Sequence, residues 1–221
     1  MKTLKDLNRG ETFPFAGFEW IVLEHTSAGT RVVATTIIEN RAFDEDGSAD
    51  WRESSSRSYL NSEFLEGLVE AAGSDAYILA HTSDLTAADG TFRETSTDFV
   101  SLLTLDEYRR NRDVLEPIGL WWWLITRDSA SNSYGVRVVN TDGSLDSSSA
   151  CDGSGGLRPA LLLDSGLVIS DDGDEEQVTA EEAAEAARQI AETWLTAGFT
   201  VDDVVQALAA FSRILKEDKH E

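Results

Sequence analysis

The chain has 221 residues, 41% of them hydrophobic, and its six tryptophans and nine phenylalanines exclude an intrinsically disordered acidic segment. Its 18 lysines and arginines stand against 41 aspartates and glutamates, which gives a formal charge of -23. A protein this acidic repels phosphate backbones and anionic lipid headgroups, so we expect neither nucleic acid nor a membrane among its partners.

The first elements are predicted to be a β-hairpin and a helix. Apolar runs at residues 13–25 and 30–38 flank a short turn around Gly29, which is typical of two antiparallel strands. In residues 54–73 the apolar side chains recur at helical spacing, and Gly73 closes the run. The pattern predicts a one-sided helix that packs on the sheet.

The middle of the chain has a less regular pattern. A short strand, a loop, a second strand and a polar helix that ends before Pro117 are predicted, in that order, at residues 77–86, 87–97, 98–105 and 106–116.

Residues 119–163 are predicted to form apolar strands on either side of a polar display region. In a strand, Trp121 and Trp123 face one way and Trp122 the other. Residues 135–139 read as a further strand, and the Asp-Gly pair that ends at Gly143 indicates a turn with positive φ angles. We therefore expect a hairpin that presents loops.

The C-terminal part has a different composition. An acidic linker at residues 170–178 separates the main domain, residues 1–169, from helix-forming sequence at 179–217. Thr179 and Glu182 form a capping box, and two apolar stripes follow, so a helical hairpin is predicted. The stripes would pack on each other and on the main domain, or serve self-association or docking to a carrier protein.

Six separated pieces of residues 10–165 resemble a family of uncharacterised domains found in gut bacteria and their phages. They come in the family's order and are residues 17–23 (GFEWIVL), Trp51 with 56–61 (SRSYLN) and Phe64, 98–104 (DFVSLLT) with Glu107, 122–124 (WWL), 142–144 (DGS) and 156–161 (GLRPAL). The chain departs from the family pattern at Tyr59, where an aromatic of another kind is usual, and at residues 125–127, where the family has Arg-Ser-Pro.

That family is similar to the C-type lectin-like fold of formylglycine-generating enzymes and of the variable proteins of diversity-generating retroelements. The resemblance implies an α+β fold, a C-type lectin-like mixed domain, to which this chain adds the C-terminal helical hairpin.

No catalytic site, cofactor or metal site is expected. Formylglycine-generating enzymes depend on a pair of cysteines, whereas Cys151 is the single cysteine here. The histidines, His25, His81 and His220, are isolated, and no nucleophile elbow or phosphate-binding glycine motif occurs. A folded pocket that pairs His81 with a carboxylate of raised pKa would reopen the enzyme hypothesis.

Three aspartates and two arginines are predicted to have structural roles rather than to bind a ligand. Asp44, Asp46 and Asp50 resemble a calcium loop in density but lack its bidentate glutamate, which favours a solvated acidic turn. Arg57 and Arg158 lie in the matched pieces and are predicted to pair with buried acids or strand carbonyls.

No secretion or membrane insertion is expected. The N-terminal residues lack the apolar core of a signal peptide, and the longest apolar run, residues 118–125, is too short to cross a bilayer. The single cysteine excludes an intrachain disulfide. We therefore expect the chain in the cytoplasm or in a virion.

Residues 125–154 use the side chains that adaptable binding loops use, mainly Ser, Asn, Asp, Gly, Tyr, Thr and Arg. The same set arises when adenine-directed mutagenesis acts on asparagine codons, and plain polar turns are the other interpretation. Because loops on a rigid sheet are the usual place for recognition, we expect a protein or carbohydrate ligand to contact Arg127, Asp128, Ser129, Asn132, Ser133, Tyr134, Asn140, Asp146, Ser147, Ser149 and Asp152.

The sequence thus predicts a non-enzymatic ligand-binding or adhesion domain, encoded by a phage or prophage, and in one version the variable target of a diversity-generating retroelement. The alternative is a virion structural or assembly component that makes its contacts through residues 179–217.

Overall fold

The structure, a computed structural model, describes residues 2–169. The strands are β1 (Lys2–Thr3), β2 (Thr12–Phe15), β3 (Phe18–Thr26), β4 (Gly29–Ala34), β5 (Glu39–Asn40), β6 (Ile78–Leu79), β7 (His81–Asp84), β8 (Thr95–Asp98), β9 (Val100–Ser101), β10 (Trp122–Arg127), β11 (Gly135–Val139), β12 (Leu145–Ser149), β13 (Gly156–Leu157), β14 (Ala160–Leu163) and β15 (Val168–Ile169). The α-helices are α1 (Ser55–Leu60), α2 (Glu63–Ala72) and α3 (Leu105–Asn111). None of the described helices is long and apolar enough to cross a membrane.

The largest sheet has the strand order β2-β3-β4-β14, and β6 and β9 share the far edge of β14. Its strands β3 and β4 are joined by the predicted hairpin, which closes where Thr26 pairs with Gly29. Val32 and Ala34 point into one apolar cluster and Val33 into another. Because both faces are buried, these strands carry continuous apolar runs rather than alternating ones.

A second sheet has the order β12-β11-β10-β13-β5. Trp123 on β10 packs into the first apolar cluster, with Trp121 against it, and Trp122 packs into the second. The alternation predicted for the three tryptophans is therefore confirmed. The predicted turn between β11 and β12 is also present, with Gly143 at φ 80°.

Two short ladders complete the pairing of the described strands. β1 pairs with β15, so that Lys2 lies opposite Ile169. β7 pairs with β8, so that His81 lies opposite Asp98. The second ladder covers part of residues 87–97, for which the sequence predicts only a loop.

The expected α+β, C-type lectin-like fold is wrong for the described residues. Strands make up 35% of the structure and helices only 17%, in short pieces. Polar segments such as residues 95–98 gain strand structure by pairing with a neighbouring strand, here β7, and their own local pattern does not reveal this pairing. The acidic linker at 170–178 and the helical hairpin predicted at 179–217 lie outside the described residues.

The helix predicted over residues 54–73 is two helices, α1 and α2, and the chain breaks between them at Asn61. The amide of Asn61 donates to the carbonyl of Val100 at 2.8 Å and accepts from the backbone N–H groups of Phe99 and Val100 at 3.1 Å. Asn61 thus satisfies backbone groups of the neighbouring segment, and that tertiary requirement overrides the helical periodicity.

Buried polar contacts join segments that are far apart in the chain. Asp98 is 5% exposed and accepts from Arg57 Nε at 2.6 Å and from Trp51 Nε1 at 2.9 Å. Arg158 is 1% exposed and donates to the carbonyls of Ala34 and Thr35 at 2.8 and 3.1 Å. The framework roles predicted for Arg57 and Arg158 are confirmed.

Candidate functional site

The predicted binding residues lie at two places on the second sheet. Most belong to the loop between β10 and β11 and to the end of β12, which meet where the N–H of Ala150 donates to the carbonyl of Tyr134 at 2.8 Å. Asn140 lies at the other end of β11 and bonds Ser144 within the turn. The structure therefore brings together all of the predicted set except Asn140 and the nearby Asp146.

The loop of residues 127–134 is held by its own side chains. Arg127 donates to the carbonyl of Ser129 at 3.1 Å, and its guanidinium lies 4.6 Å from the ring centroid of Phe92. Asn132 accepts from the N–H groups of Tyr134 and Gly135 at 3.2 and 2.9 Å. Arg127 and Asn132, both predicted site residues, thus use their polar groups in hydrogen bonds to the backbone of the loop and of Gly135, which follows it.

Two predicted carboxylates are also engaged. Asp128 pairs with Arg137 at 3.1 Å. Asp152 accepts from the N–H and the hydroxyl of Ser154 at 3.0 and 2.6 Å, and Ser148 donates to its other oxygen at 3.3 Å.

What remains at the surface is a patch of hydroxyl groups around one aromatic ring. Tyr134 is 60% exposed, and Ser133 beside it is exposed. Ser147 and Ser149 are exposed on β12, the edge strand of its sheet. We call Ser133, Tyr134, Ser147 and Ser149 the loop patch.

A family model described as a domain of unknown function, DUF6273, matches residues 28–165. The chain belongs to this family. No curated protein and no solved structure matches it. Within the DUF6273 region, Trp51, Arg57, Asn61 and Asp98 bond one another or neighbouring backbone, so these pieces of the sequence pattern specify the framework.

A cleft of about 710 Å³ lies elsewhere among the described residues. Its walls come from β7, from the loop after it, from the first turn of α3, and from Glu24 and Thr126. Sequence reasoning missed this cleft, because its residues come from four segments far apart in the chain.

The floor of the cleft carries an ionic pair beside a histidine. Glu107 is 5% exposed and accepts from Arg31 Nε at 2.8 Å. Its other oxygen accepts from the N–H of Thr104 at 2.7 Å. His81 Nε2 lies 3.7 Å from Glu107 Oε1, which is too long for a hydrogen bond.

Electrostatics set the protonation of this pair. Burial and the charge of Arg31 lower the pKa of His81 to about 4, against the opposing effect of Glu107 and Asp98. Burial alone would raise the pKa of Glu107, but the charge and hydrogen bond of Arg31 outweigh it and the pKa falls. At neutral pH the histidine is therefore neutral and the carboxylate ionised.

The enzyme hypothesis required a pocket that pairs His81 with a carboxylate of raised pKa, and the cleft meets only half of this condition. His81 does face a carboxylate across a pocket, but the pKa of Glu107 is lowered rather than raised. A carboxylate of this kind does not act as a general acid near neutral pH. One signal in the sequence pointed here, since Arg31 is a charged residue within the otherwise apolar run of residues 30–38.

Proposed function

We propose that this DUF6273 protein is a non-enzymatic ligand-binding domain that recognises a protein or a carbohydrate through the loop patch. The observation that carries the proposal is that the loop backbone is fixed internally while the patch stays exposed. Asn132 and Arg127 use their polar groups on the loop itself. A loop ordered before binding loses less conformational entropy when the ligand arrives.

The chemistry of the loop patch suits recognition. Tyrosine supplies a large amphipathic contact area at low entropic cost, and serine hydroxyls both donate and accept hydrogen bonds. An exposed tyrosine ring also stacks on the apolar face of a sugar or on a protein side chain. We place the domain in the cytoplasm or in a virion, and the exposed free thiol of Cys151 suits a reducing compartment.

The test uses an immobilised glycan array and a displayed random-peptide library as probes, with the full chain as the binder. A specific hit from either probe is expected to lose at least about tenfold in affinity with Tyr134→Ala, in keeping with the energies of exposed aromatic anchors. The control is Thr141→Ala, an exposed substitution at the opposite end of β11. Absence of any hit, or hits that both variants bind equally, would overturn the proposal.

A narrower form of the proposal is that residues 125–154 are the diversified target of a retroelement. A near-copy of this stretch next to the gene should then differ only at template adenines. Differences are expected at exposed positions such as Tyr134 and Ser147, whereas the buried Val136 and Val138 should be invariant. No such copy, or differences at the buried positions, would refute this form alone.

The alternative of a virion structural or assembly component depends on residues 179–217, which lie outside the described residues.

A further inference from the structure

The cleft between β7 and α3 contains polar groups whose hydrogen-bonding capacity is unused. Ser83 lies in its wall and is 1% exposed, and its hydroxyl has no hydrogen-bond partner among the described residues. Neither ring nitrogen of His81 is hydrogen-bonded within the described part of the chain, and Glu107 Oε1 is 3.7 Å away. A buried polar group without a partner, such as the Ser83 hydroxyl, is costly, and a ligand that pairs it recovers this cost.

These groups converge. His81 and Ser83 are two residues apart on β7, so their side chains lie on the same face of the strand. Glu107 approaches that face from α3. At neutral pH the imidazole offers an acceptor nitrogen, the carboxylate an acceptor oxygen, and the serine hydroxyl accepts as well. The cleft therefore presents three acceptors, of which His81 Nε2 and Glu107 Oε1 lie 3.7 Å apart.

The charge of the lining is also informative. Four acids, Glu24, Asp84, Asp106 and Glu107, line the cleft against two arginines, Arg109 and Arg110. Arg31, which pairs with Glu107, reduces the excess of acids to one negative charge. A cationic ligand is thus favoured over an anionic one.

The type of cation follows from what the lining lacks. The described residues contain no group of three or more His, Cys, Asp or Glu placed to hold a metal ion. No aromatic ring lines the cleft, so the cage that recognises quaternary ammonium groups is missing there. An ammonium group with N–H donors remains, and a primary one carries three.

We infer that this cleft binds the primary ammonium group of a small polar molecule or of a lysine side chain, with Glu107 as the countercharge and His81 and Ser83 as further acceptors. Arg31 shares the charge of Glu107, so the affinity is modest, with a Kd of about 0.1–1 mM. The site is independent of the loop patch.

The experiment is calorimetric titration of the full chain with propylamine, with tetramethylammonium and with the dipeptide mimic Nα-acetyl-lysine amide. Propylamine should bind, and tetramethylammonium, which has charge but no N–H donor, should bind at least about tenfold more weakly. Comparable binding of Nα-acetyl-lysine amide would identify a protein lysine as a ligand the site accepts. If Nα-acetyl-lysine amide does not bind while propylamine does, the ligand is a small free amine rather than a protein lysine. Two results would overturn the inference. One is equal binding of propylamine and tetramethylammonium, and the other is no detectable binding of propylamine at a concentration of about 10 mM, which is tenfold above the weakest expected Kd.

Substitutions locate the site. Ser83→Ala and His81→Leu should each weaken propylamine binding at least about fivefold, whereas Thr97→Ala, on the adjacent strand β8 and outside the lining, should leave it unchanged. Thermal melting of each variant confirms that it is folded. If Thr97→Ala weakens binding as much as Ser83→Ala, the cleft is not the site. Tyr134→Ala should leave propylamine binding intact, so that failure here and failure of the proposed function are distinguishable.

Discussion

The indole N–H of Trp51 donates to a carboxylate oxygen of Asp98 at 2.9 Å, although 47 residues separate the two in the chain. The same oxygen accepts from the hydroxyl of Ser96 at 2.7 Å, and the other oxygen accepts from Arg57 at 2.6 Å. One buried carboxylate thus holds the segment before α1, α1 itself and the strand β8.

We expect Asp98→Ala to lower the free energy of unfolding by about 2–4 kcal/mol, because it leaves a buried indole N–H and an arginine without their acceptor. Urea denaturation followed by tryptophan fluorescence measures the change. The control is Glu116→Ala, an exposed site where a change within about 0.5 kcal/mol is expected. Equal effects of the two substitutions would show that the carboxylate is not a structural tie.

Two glycines two residues apart provide a matched test of packing around the tryptophans. A Cβ on Gly155 would overlap the indole of Trp123 and lie 2.7 Å from Cη2 of Trp121, whereas a Cβ on Gly153 meets nothing within 4 Å. Gly155→Ala should therefore cost about 1–3 kcal/mol and shift the tryptophan emission. Gly153→Ala should do neither. An unchanged emission spectrum for Gly155→Ala would contradict this packing.

Stability should fall as the pH drops from 6.5 towards 4. The unfolded chain binds a proton at His81 below its ordinary pKa of 6.5, whereas the folded protein resists it until about 4. The unfolded state therefore holds more protons in this window. The full difference between the two pKa values corresponds to about 3 kcal/mol, and solvent screening of the partly exposed imidazole reduces the expected loss in the free energy of unfolding to roughly 2 kcal/mol. Glu107, whose folded pKa lies below its ordinary 4.5, adds a further loss below that pH.

Urea titrations at a series of pH values test this dependence. His81→Gln should flatten the curve between pH 6.5 and 4.5, and Thr82→Ala on the same strand should retain the slope. A wild-type slope in the His81→Gln variant would mean that another group titrates in this window.

Asn61→Ala should uncouple α1 from β9. The substitution removes the acceptor of the N–H groups of Phe99 and Val100 and the donor to the carbonyl of Val100. A loss of about 1–3 kcal/mol is expected, with faster hydrogen exchange at Val100. Glu70→Ala, on the exposed side of α2, serves as the control. Protection of the Val100 N–H that survives Asn61→Ala would argue against this contact.

The features that could be predicted from the sequence are those with a local cause. The β3–β4 hairpin follows from two adjacent apolar runs, and the turn at Gly143 follows from a dipeptide. Arg57 and Arg158 could be assigned to the framework because both lie within the pieces of sequence that match the family pattern.

The features that could not be predicted depend on contacts made only in the folded chain. The pairing of the polar strand β8 with β7 and the break at Asn61 are of this kind. The cleft has the same origin, since Arg31, His81 and Glu107 meet from three separate elements. The C-type lectin-like expectation failed because a resemblance carried by framework residues says little about how much strand the intervening polar segments form.

The pairing of β1 with β15 has a mechanical consequence. Lys2 lies opposite Ile169 and Thr3 opposite Val168, and the ladder continues where the N–H of Leu4 donates to the carbonyl of Leu167 at 2.8 Å. Tension applied between residues 2 and 169 would load these bonds one after another, as in a zipper, rather than all together in shear. Sequential opening needs little force, so a pull through these two points would peel the ends apart well before it strained the tryptophan-rich interior.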